Sequence, residues 1–383
     1  MKGRIIVSTL LALLLLVSMP MSALAATWDI SKGDITVNAE SGGQTVRQGG
    51  GAAVPDSAPV ITGTSKENNV TINAESGQTA SVTLSGVNID VRDKGKAAVS
   101  TTGEGNVSIE LNGGSTLRSG YEHAGLEKNN GGSLTIADED KNGKLTAWGE
   151  QQGAGIGGGS GKDGSNIFIT GGGVNAIGGL AAAGIGGGLG GNGSNITISG
   201  GKVGATNGLN GAGIGGGQHG SGSNITISGG EVNATGGVNG AGIGGGCYGY
   251  GNNITVSGDA KLKVQGGVED NIDGAGAGIG NGGSSDERAI PVTGAEVEPD
   301  TSGLTTNGSI EYYAPGADME KDKPEKTTVG TLSPQEKPIE PIEPAVPEQP
   351  EAERGADAPL YRVTDRDGRD IACTAEQKGG VLT

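Results

Sequence analysis

Short alternating segments of β-branched residues recur along the middle of the chain. Ile-Thr-Ile-Ser begins at Ile196 and again at Ile225. Apolar and polar residues that alternate with a period of two predict a strand with one buried face. A second strand in each repeat is predicted by the segments Val174-Asn-Ala, Val203-Gly-Ala and Val232-Asn-Ala.

A glycine-rich hexapeptide precedes each of these strand pairs and sets the period of the chain. The hexapeptide Ala-Gly-Ile-Gly-Gly-Gly begins at Ala154, Ala183, Ala212 and Ala241, and the variant Ala-Gly-Ile-Gly-Asn-Gly begins at Ala277. The first three steps are 29 residues each and the last is 36. Fixed self-similarity at this period is typical of a solenoid, in which each repeat forms one coil.

The repeats predict an all-β fold, a right-handed parallel β-helix with coils of about 29 residues. Three short strands separated by glycine-rich bends make one coil. Successive coils stack about 4.8 Å apart through parallel backbone hydrogen bonds, and right-handed crossovers are the default for parallel strands. Helices are disfavoured, because each glycine costs a helix about 1 kcal/mol.

Branched aliphatic residues predict three inward columns, which extend the stack into the less regular coils before Gln151. The first column is Val99, Leu126, Ile156, Ile185, Ile214, Ile243 and Ile279. The second is Val82, Val107, Leu134, Ile167, Ile196, Ile225 and Ile254. The third is Val87, Leu117, Leu145, Val174, Val203, Val232 and Leu262. Because aliphatic side chains stack on like neighbours, such a core needs few aromatic residues.

One bend of each regular coil carries an asparagine, at Asn166, Asn195, Asn224 and Asn253. Asparagine tolerates the left-handed conformation, and its amide can hydrogen-bond the same residue one coil away. We expect this column to be a structural ladder. The repeated glycines are predicted to lie where the chain turns with positive φ and passes close to the next coil.

The composition divides the chain into segments. The expected segments are a signal peptide (1–25), an N-terminal cap (26–64), the parallel β-helix (65–288), a terminal coil or C-terminal cap (289–315), a proline-rich linker (316–358) and the start of a further, incomplete β segment (359–383). The signal peptide is predicted from basic Lys2 and Arg4, an apolar stretch and an Ala-x-Ala cleavage site. The last segment leads us to expect a piece of a longer surface protein.

Charge and cysteine content narrow the function classes. Without the signal peptide the chain carries 24 basic and 43 acidic residues, a net charge of −19, which argues against nucleic acid as a partner. No later apolar run is long enough to predict a transmembrane segment. Cys247 and Cys373 lie in different segments, so a disulfide is not the basis of the fold. We expect an extracellular, monomeric solenoid.

Two features carry a family resemblance, over about Thr27 to Gly283. Coils such as Val82-Thr-Leu-Ser-Gly-Val-Asn-Ile-Asp, followed by the glycine hexapeptides, resemble the carbohydrate-binding β-helix family of secreted bacterial proteins. The glycine coils are also similar to passages of Gram-positive cell-surface proteins. The resemblance implies a shape like that of pectate lyases and binding of acidic plant polysaccharide with calcium. It carries over no individual binding residue, because no matching site motif stands in this sequence.

A calcium loop is one candidate site. Asp138, Asp140 and Asn142 precede Gly143 with the D-x-D-x-N-G spacing that places oxygen donors around a glycine turn. The acid at position twelve is missing, since Gly149 stands there. The alternative is a solvated hairpin turn between the flanking strands. Calcium is therefore a candidate ligand, and no other cofactor is predicted.

The variable turn after each hexapeptide is a second candidate site. Equivalent turns should stack, which would place several polar and aromatic side chains along one edge: Lys162, Asn192, His219, Tyr248 and Tyr250. Tyrosine rings stack on sugar faces and polar neighbours bond to hydroxyl groups, as in carbohydrate-binding grooves. The alternative is tolerated loop variation.

A third candidate is the outward face of the Ile-Thr-Ile-Ser strands. It would present a hydroxyl array to ice or to a crystalline polysaccharide, made of Thr197, Thr226 and Thr255 with Ser199, Ser228 and Ser257. Phe168 interrupts the first coil of this array. The alternative is a sheet face that simply tolerates water.

Catalysis is not expected. Hydrolases and lyases on this fold need clustered carboxylates, whereas the acids of residues 151–260 occupy different repeat positions: Asp163, Glu231 and Asp259. His123 and His219 have no serine or cysteine at matching positions and are predicted to be exposed turn residues. The leading hypothesis is a secreted, non-catalytic module that binds plant or bacterial cell-wall polysaccharide or a host glycan. The alternatives are an adhesin stalk and, more distantly, a polysaccharide lyase.

Overall fold

The computed structural model describes residues 25–207, 209–270, 272–286 and 290–333, together with the backbone of four short strands beyond them. The chain divides into two units, Met1–Pro334 and Gln335–Thr383. The predicted signal peptide up to residue 24, most of the predicted linker and Cys373 lie outside the described residues. No helix in the described part is long and apolar enough to cross a membrane.

Three long sheets make up the first unit, and each coil contributes one strand to each sheet. We call the nine-stranded sheet that holds the Ile-Thr-Ile segments sheet 1. Its strands are Thr27–Asp29, Val60–Thr62, Thr79–Ser85, Asn106–Asn112, Leu134–Ala137, Gly164–Ile169, Gly193–Ile198, Gly222–Ile227 and Gly251–Val256. All of them pair in parallel with a strand of the adjacent coil. In the last four strands the paired segments are 29 residues apart, as the repeat predicts.

Sheet 2 holds the hexapeptides, each of which forms a strand of only two residues. Its eleven strands are, in spatial order, Ile279–Gly280, Ile243–Gly244, Ile214–Gly215, Ile185–Gly186, Ile156–Gly157, Leu126–Lys128, Val99–Gly103, Val70–Ala74, Ile35–Glu40, Gly43–Gln48 and Val54–Pro55. The isoleucine of each short strand is fully buried. The glycine that follows allows the chain to turn at once toward sheet 1.

Sheet 3 completes the coil and carries the Val-x-Ala segments. Its ten strands are, in spatial order, Lys326–Val329, Ser309–Tyr313, Lys261–Gln265, Glu231–Thr235, Lys202–Thr206, Gly173–Ile177, Lys144–Glu150, Gly114–Tyr121, Asn88–Asp90 and Thr64–Ser65. Two 3-10 helices, Ile30–Lys32 and Arg92–Lys94, are the only helices in the described part of the chain. A short antiparallel pair joins Ser284–Ser285 to Pro291–Val292.

These sheets form a parallel β-solenoid, which confirms the predicted fold class. The aliphatic side chains inside the coils make one continuous buried core that runs from Ile30 to Ile310. The first predicted column is in register throughout, from Val99 and Leu126 to Ile243 and Ile279.

Two predicted columns need a correction in the irregular coils. Ala80, and not Val82, lies opposite Val107, and Val82 lies opposite Ile109. In sheet 3, Leu145 lies opposite Ser115, so the predicted partner Leu117 belongs to the neighbouring inward position. In both cases the predicted partner lies two residues from the observed partner. Side chains two residues apart point to the same face, so the pattern identifies the buried face but not which of its positions are paired.

Close approach of the coil backbones explains the glycines of sheet 2. Gly215 has a φ of 136°, and a Cβ atom added there would lie 2.0 Å from the carbonyl oxygen of Gly244 in the next coil. No side chain fits at that distance. The hexapeptide is therefore required by the stacking of coils and needs no ligand to account for it.

The asparagine column forms a ladder at the bend of sheet 1. All four residues have φ between 49° and 56°. The Asn195 amide donates to the Asn166 side-chain oxygen at 3.1 Å, and the Asn224 amide donates to Asn195 at the same distance. Asn253 continues the ladder by donating to Asn224. Each asparagine thus supplies both the left-handed conformation and a contact between coils.

The two ends of the first unit are covered by antiparallel strands. At the start, Ile35–Glu40 pairs in parallel with Val70–Ala74 and antiparallel with Gly43–Gln48, which covers the edge of sheet 2. At the other end, Lys326–Val329 pairs antiparallel with Ser309–Tyr313. Sheet 3 thus extends into the range 316–358, for which the composition predicts a linker.

The second unit contains two short antiparallel pairs. Val363–Thr364 pairs with Asp370–Ile371, and Gln377–Lys378 pairs with Val381–Leu382. The other segment boundaries expected from composition stay predictions.

The register leads to a prediction about stability. Ile214 is fully buried in sheet 2, whereas Thr226 lies half-buried on the outward face of sheet 1. Ile214→Asp would bury an unpaired carboxylate and should lower the free energy of unfolding by several kcal/mol. Thr226→Asp should lower it by less than about 1 kcal/mol. Denaturant unfolding of both variants measures this, and equal losses would show that the assigned faces are wrong.

Candidate functional site

A pocket of about 550 Å³ opens at the corner between sheet 2 and sheet 1, where the irregular coils meet the regular ones. This corner pocket is lined by two sets of residues from adjacent coils: Glu122, His123, Glu127, Lys128, Asn129 and Asn130 of one, and Gly159, Ser160, Lys162, Asp163 and Ser165 of the next. Glu127 pairs in register with Gly157, so a carboxylate occupies the place of a repeated glycine. The break in the glycine repeat brings charged side chains to this corner.

Glu127 is a buried carboxylate with several donors. One oxygen lies 2.8 Å from Nδ1 of His123 and accepts the backbone N–H of Ala124 at 3.1 Å. The other accepts the Asn129 side-chain amide at 2.8 Å. These contacts satisfy a charge that is only 7% exposed. They also orient the imidazole of His123, for which no partner at Nε2 is found among the described residues.

Lys128 is buried without a carboxylate partner. Only 5% of the residue is exposed, and its ammonium donates to the carbonyl oxygen of Asn130 at 2.6 Å. Among the described residues no acidic oxygen lies within 4.0 Å of its Nζ. Burial lowers the pKa of Lys128 to about 8, because a charged amine loses hydration there.

The five predicted sugar-binding residues lie in the turns that lead from sheet 2 to sheet 1, and their side chains make different contacts. Lys162 lines the corner pocket. Asn192 bonds to neighbouring coils, since its N–H donates to Asp163 at 2.7 Å and its side chain accepts from the Ser221 N–H. A sugar-binding role for the five residues stays a prediction.

The aromatic members of that set lie further along the corner. The rings of His219 and Tyr248 stack with centroids 5.2 Å apart. The Tyr248 hydroxyl donates to Asp273 at 2.6 Å and lies 2.7 Å from the Ser285 hydroxyl. Tyr250 is 66% exposed. Tyr250 thus has a more exposed side chain than Tyr248.

The predicted calcium loop forms a bend between sheet 1 and sheet 3. The flanking strands belong to different sheets, so the alternative of a hairpin turn is wrong. Asp138 accepts the backbone N–H groups of Asn142 and Gly143 at 3.1 and 3.0 Å, one with each oxygen. The Asn142 side-chain oxygen accepts from Gly113, and Asp140 is exposed. Calcium binding at Asp138, Asp140 and Asn142 stays a prediction.

A groove of about 420 Å³ runs beside this bend, and most of the charged residues that line it are lysines. Lys141, Lys144 and Lys202 line this lysine groove with a single acid, Asp138. Lys144 and Lys202 stand in one outward column of sheet 3, with Gly173 between them. Lys202 lies 3.8 Å from Glu231 in the next coil. No described acidic oxygen lies within 4.0 Å of the other two ammonium groups.

Glycine backbone makes up the rest of the groove lining apart from the side chains of Asn142 and Thr170. Residues 171–173 and Gly201 contribute no side chains. A Cβ atom at Gly201, where φ is 85°, would lie 2.5 Å from the Gly172 carbonyl oxygen. The close stacking of coils thus leaves an open floor, which the three lysines border.

The hydroxyl column of sheet 1 is longer than predicted. Thr197, Thr226 and Thr255 are in register on the outward face. Beyond Phe168 the same column continues through Thr135, Ser108 and Ser81. These side chains follow one another along the sheet with Phe168 as the interruption, and their role in ligand binding stays a prediction.

Comparison with known proteins agrees with the fold. A family model described as beta helix repeat matches residues 141–160, 196–218 and 225–247. These three segments are thus similar to beta helix repeats, in agreement with the parallel solenoid. The matched segments include Lys141 and Lys144 of the lysine groove and Ser160 of the corner pocket. A search of curated proteins and a search of solved structures each found no match.

The charged pair of the corner pocket and the lysines of the lysine groove were not identified as site residues from the sequence. Glu127 and Lys128 follow Leu126 at the place where later repeats have Gly157 and Gly158, so a break in the repeat is the signal that could have found them. Lys144 and Lys202 are two repeat periods apart in the sequence. This spacing places them in one column of the solenoid and is the signal that could have found them.

The buried ammonium leads to a prediction about pH. Burial lowers the pKa of Lys128 to about 8 in the folded protein, from the ordinary lysine value of 10.5 that applies to the unfolded chain. Burying its charge therefore costs stability below pH 8, and this cost disappears as the pH rises to 10.5. Lys128→Met should raise the free energy of unfolding at pH 7 by about 1 to 2 kcal/mol, since pocket solvent reduces the full effect.

Denaturant unfolding at pH 7 and pH 10.5 measures this difference. Lys66→Met is the matched control, because Lys66 is exposed. The advantage of Lys128→Met over the wild type should shrink toward zero at the higher pH. A Lys128→Met variant that is less stable than the wild type at pH 7 would show that the charge is well solvated or paired.

Proposed function

We propose that this protein is an extracellular, non-catalytic module that binds acidic polysaccharide along the lysine groove and the adjoining outward face of sheet 3. The observation that carries the proposal is the charge of the groove. Three lysines and one aspartate line it, in a chain with a net charge of −17. A local reversal of sign on an acidic surface attracts anionic ligands to that place.

The arrangement of the lysines supports a polymer as the ligand. Lys144 and Lys202 are separated by two coil steps, or about 10 Å. Two ammonium groups at this separation can each contact a different carboxylate of one linear chain. Asn175 and Asn233 lie in the next outward column of sheet 3 and can donate to sugar hydroxyl groups.

The aspartate of the groove does not cancel this charge pattern. Both oxygens of Asp138 already accept N–H groups of their own bend. The nearby ammonium groups of Lys141 and Lys144 oppose the approach of a divalent cation. We therefore propose that the lysines, and not a calcium bridge, bind the carboxylates. The calcium loop is the competing account, and a chelator separates the two.

The proposed setting is the cell surface or the extracellular space. The predicted signal peptide and the proline-rich spacer support this setting, and the partner would be plant or bacterial cell-wall polysaccharide or a host glycan. A stalk without ligand is the alternative function, because continuous pairing of coils makes a suitable spacer. The two differ in whether any polysaccharide binds.

Isothermal titration with polygalacturonate tests the proposal. The variant Lys141→Gln, Lys144→Gln, Lys202→Gln should lose about tenfold in affinity, because each exposed ion pair contributes about 0.2–1 kcal/mol. The matched control is Lys32→Gln, Lys66→Gln, Lys323→Gln, which removes the same charge at exposed positions outside the groove. Its affinity should stay within about twofold of the wild type.

A chelator should leave the wild-type affinity unchanged, and added salt should lower it. Binding that disappears with chelator would favour the calcium loop. Equal affinity of the groove variant and the wild type would show that the polysaccharide binds to another face of the solenoid. An absence of binding to the wild type would favour the stalk.

A further inference from the structure

We propose that the corner pocket is a second, separate binding site, which takes the carboxylate of a small hydroxylated acid, such as a free monomeric sugar acid, on the ammonium of Lys128. This site differs from the lysine groove in residues, in place and in the size of its ligand. The pocket volume of about 550 Å³ is in the range of small-molecule sites.

The unpaired charge of Lys128 is the main argument. Its ammonium has three donors, and the described residues supply one acceptor, the carbonyl oxygen of Asn130. A charge that is 5% exposed and lacks a counter-ion is costly. A ligand carboxylate would supply the missing opposite charge, and a charge-assisted hydrogen bond inside a pocket is strong.

Glu127 does not serve as that counter-ion. Its oxygens already accept from Ala124, Asn129 and His123. These bonds hold Glu127 in place beside Lys128 without an ion pair between the two, since the Lys128 Nζ is more than 4.0 Å from either oxygen. The carboxylate thus builds the pocket wall and leaves the ammonium available.

The remaining side chains favour one carboxylate together with hydroxyl groups. Lys162 adds a second positive charge to the lining, while Glu122 and Asp163 line the same pocket and repel additional negative charge. His123 has Nδ1 paired with Glu127, so Nε2 is free to bond a hydroxyl group. A polyanion is therefore disfavoured here, in contrast to the lysine groove.

The pH dependence of binding is a signature of this arrangement. The titratable or charged groups around the ligand are Glu122, His123, Glu127, Lys128, Lys162 and Asp163. Burial lowers the pKa of Lys128 to about 8 in the free protein. Carboxylate affinity should therefore be highest below pH 8 and fall above it, with proton uptake on binding near that pH.

Isothermal titration with sodium glucuronate, and with glucose as the neutral control, tests this proposal on the full chain. Glucuronate should bind the wild type at pH 7 at least about tenfold more tightly than glucose. The affinity of Lys128→Met for glucuronate should be about tenfold or more below that of the wild type. Lys66→Met should bind glucuronate as tightly as the wild type. Thermal unfolding verifies that Lys128→Met is folded.

Each other outcome overturns the proposal. If wild-type protein fails to bind glucuronate, the pocket is not a carboxylate site. If Lys128→Met binds glucuronate as tightly as the wild type, Lys128 is not the residue that binds the carboxylate. Equal affinity at pH 7 and pH 9.5 would show that no group with the pKa of Lys128 takes part.

Discussion

Parallel backbone pairing between successive coils is the interaction on which the whole structure depends. Ile214 donates its N–H to the carbonyl of Gly242 in the next coil at 3.0 Å, and the same bond recurs at Ile185 and Ile243. The close approach at sheet 2 excludes a Cβ atom at Gly215. The composition therefore follows from the geometry, with glycine at the tight corners and branched aliphatic residues inside.

This constraint also decides where chemistry can occur. In a perfect repeat, equivalent positions carry identical side chains that line up in rows. Its tight corners are formed by glycines and so carry almost no side chains. Charged groups gather where the repeat is broken, as with Glu127 and Lys128, or in an outward column, as with Lys144 and Lys202. Both groups lie near the junction of the irregular and regular coils, and each combines residues of the two kinds of coil.

The fold was predictable because its signal is periodic. Equal spacing of Ile156, Ile185 and Ile214 predicts both the stack and its register. The register of Leu117 was not predictable, since two positions of one strand share a face and turn lengths vary in the early coils. The corner pocket could not be derived from spacing alone, because the burial of Lys128 depends on the loops of two coils.

We propose that lysines bordering an open glycine floor bind an acidic ligand on an otherwise acidic protein. Covalent lysine footprinting with and without polygalacturonate tests it most directly, because each ammonium reports its own accessibility. Lys141, Lys144 and Lys202 should be modified more slowly in the presence of the polymer, while exposed Lys32 and Lys66 should be modified at the same rate. Equal slowing at all five lysines, or none at the groove, would contradict the claim.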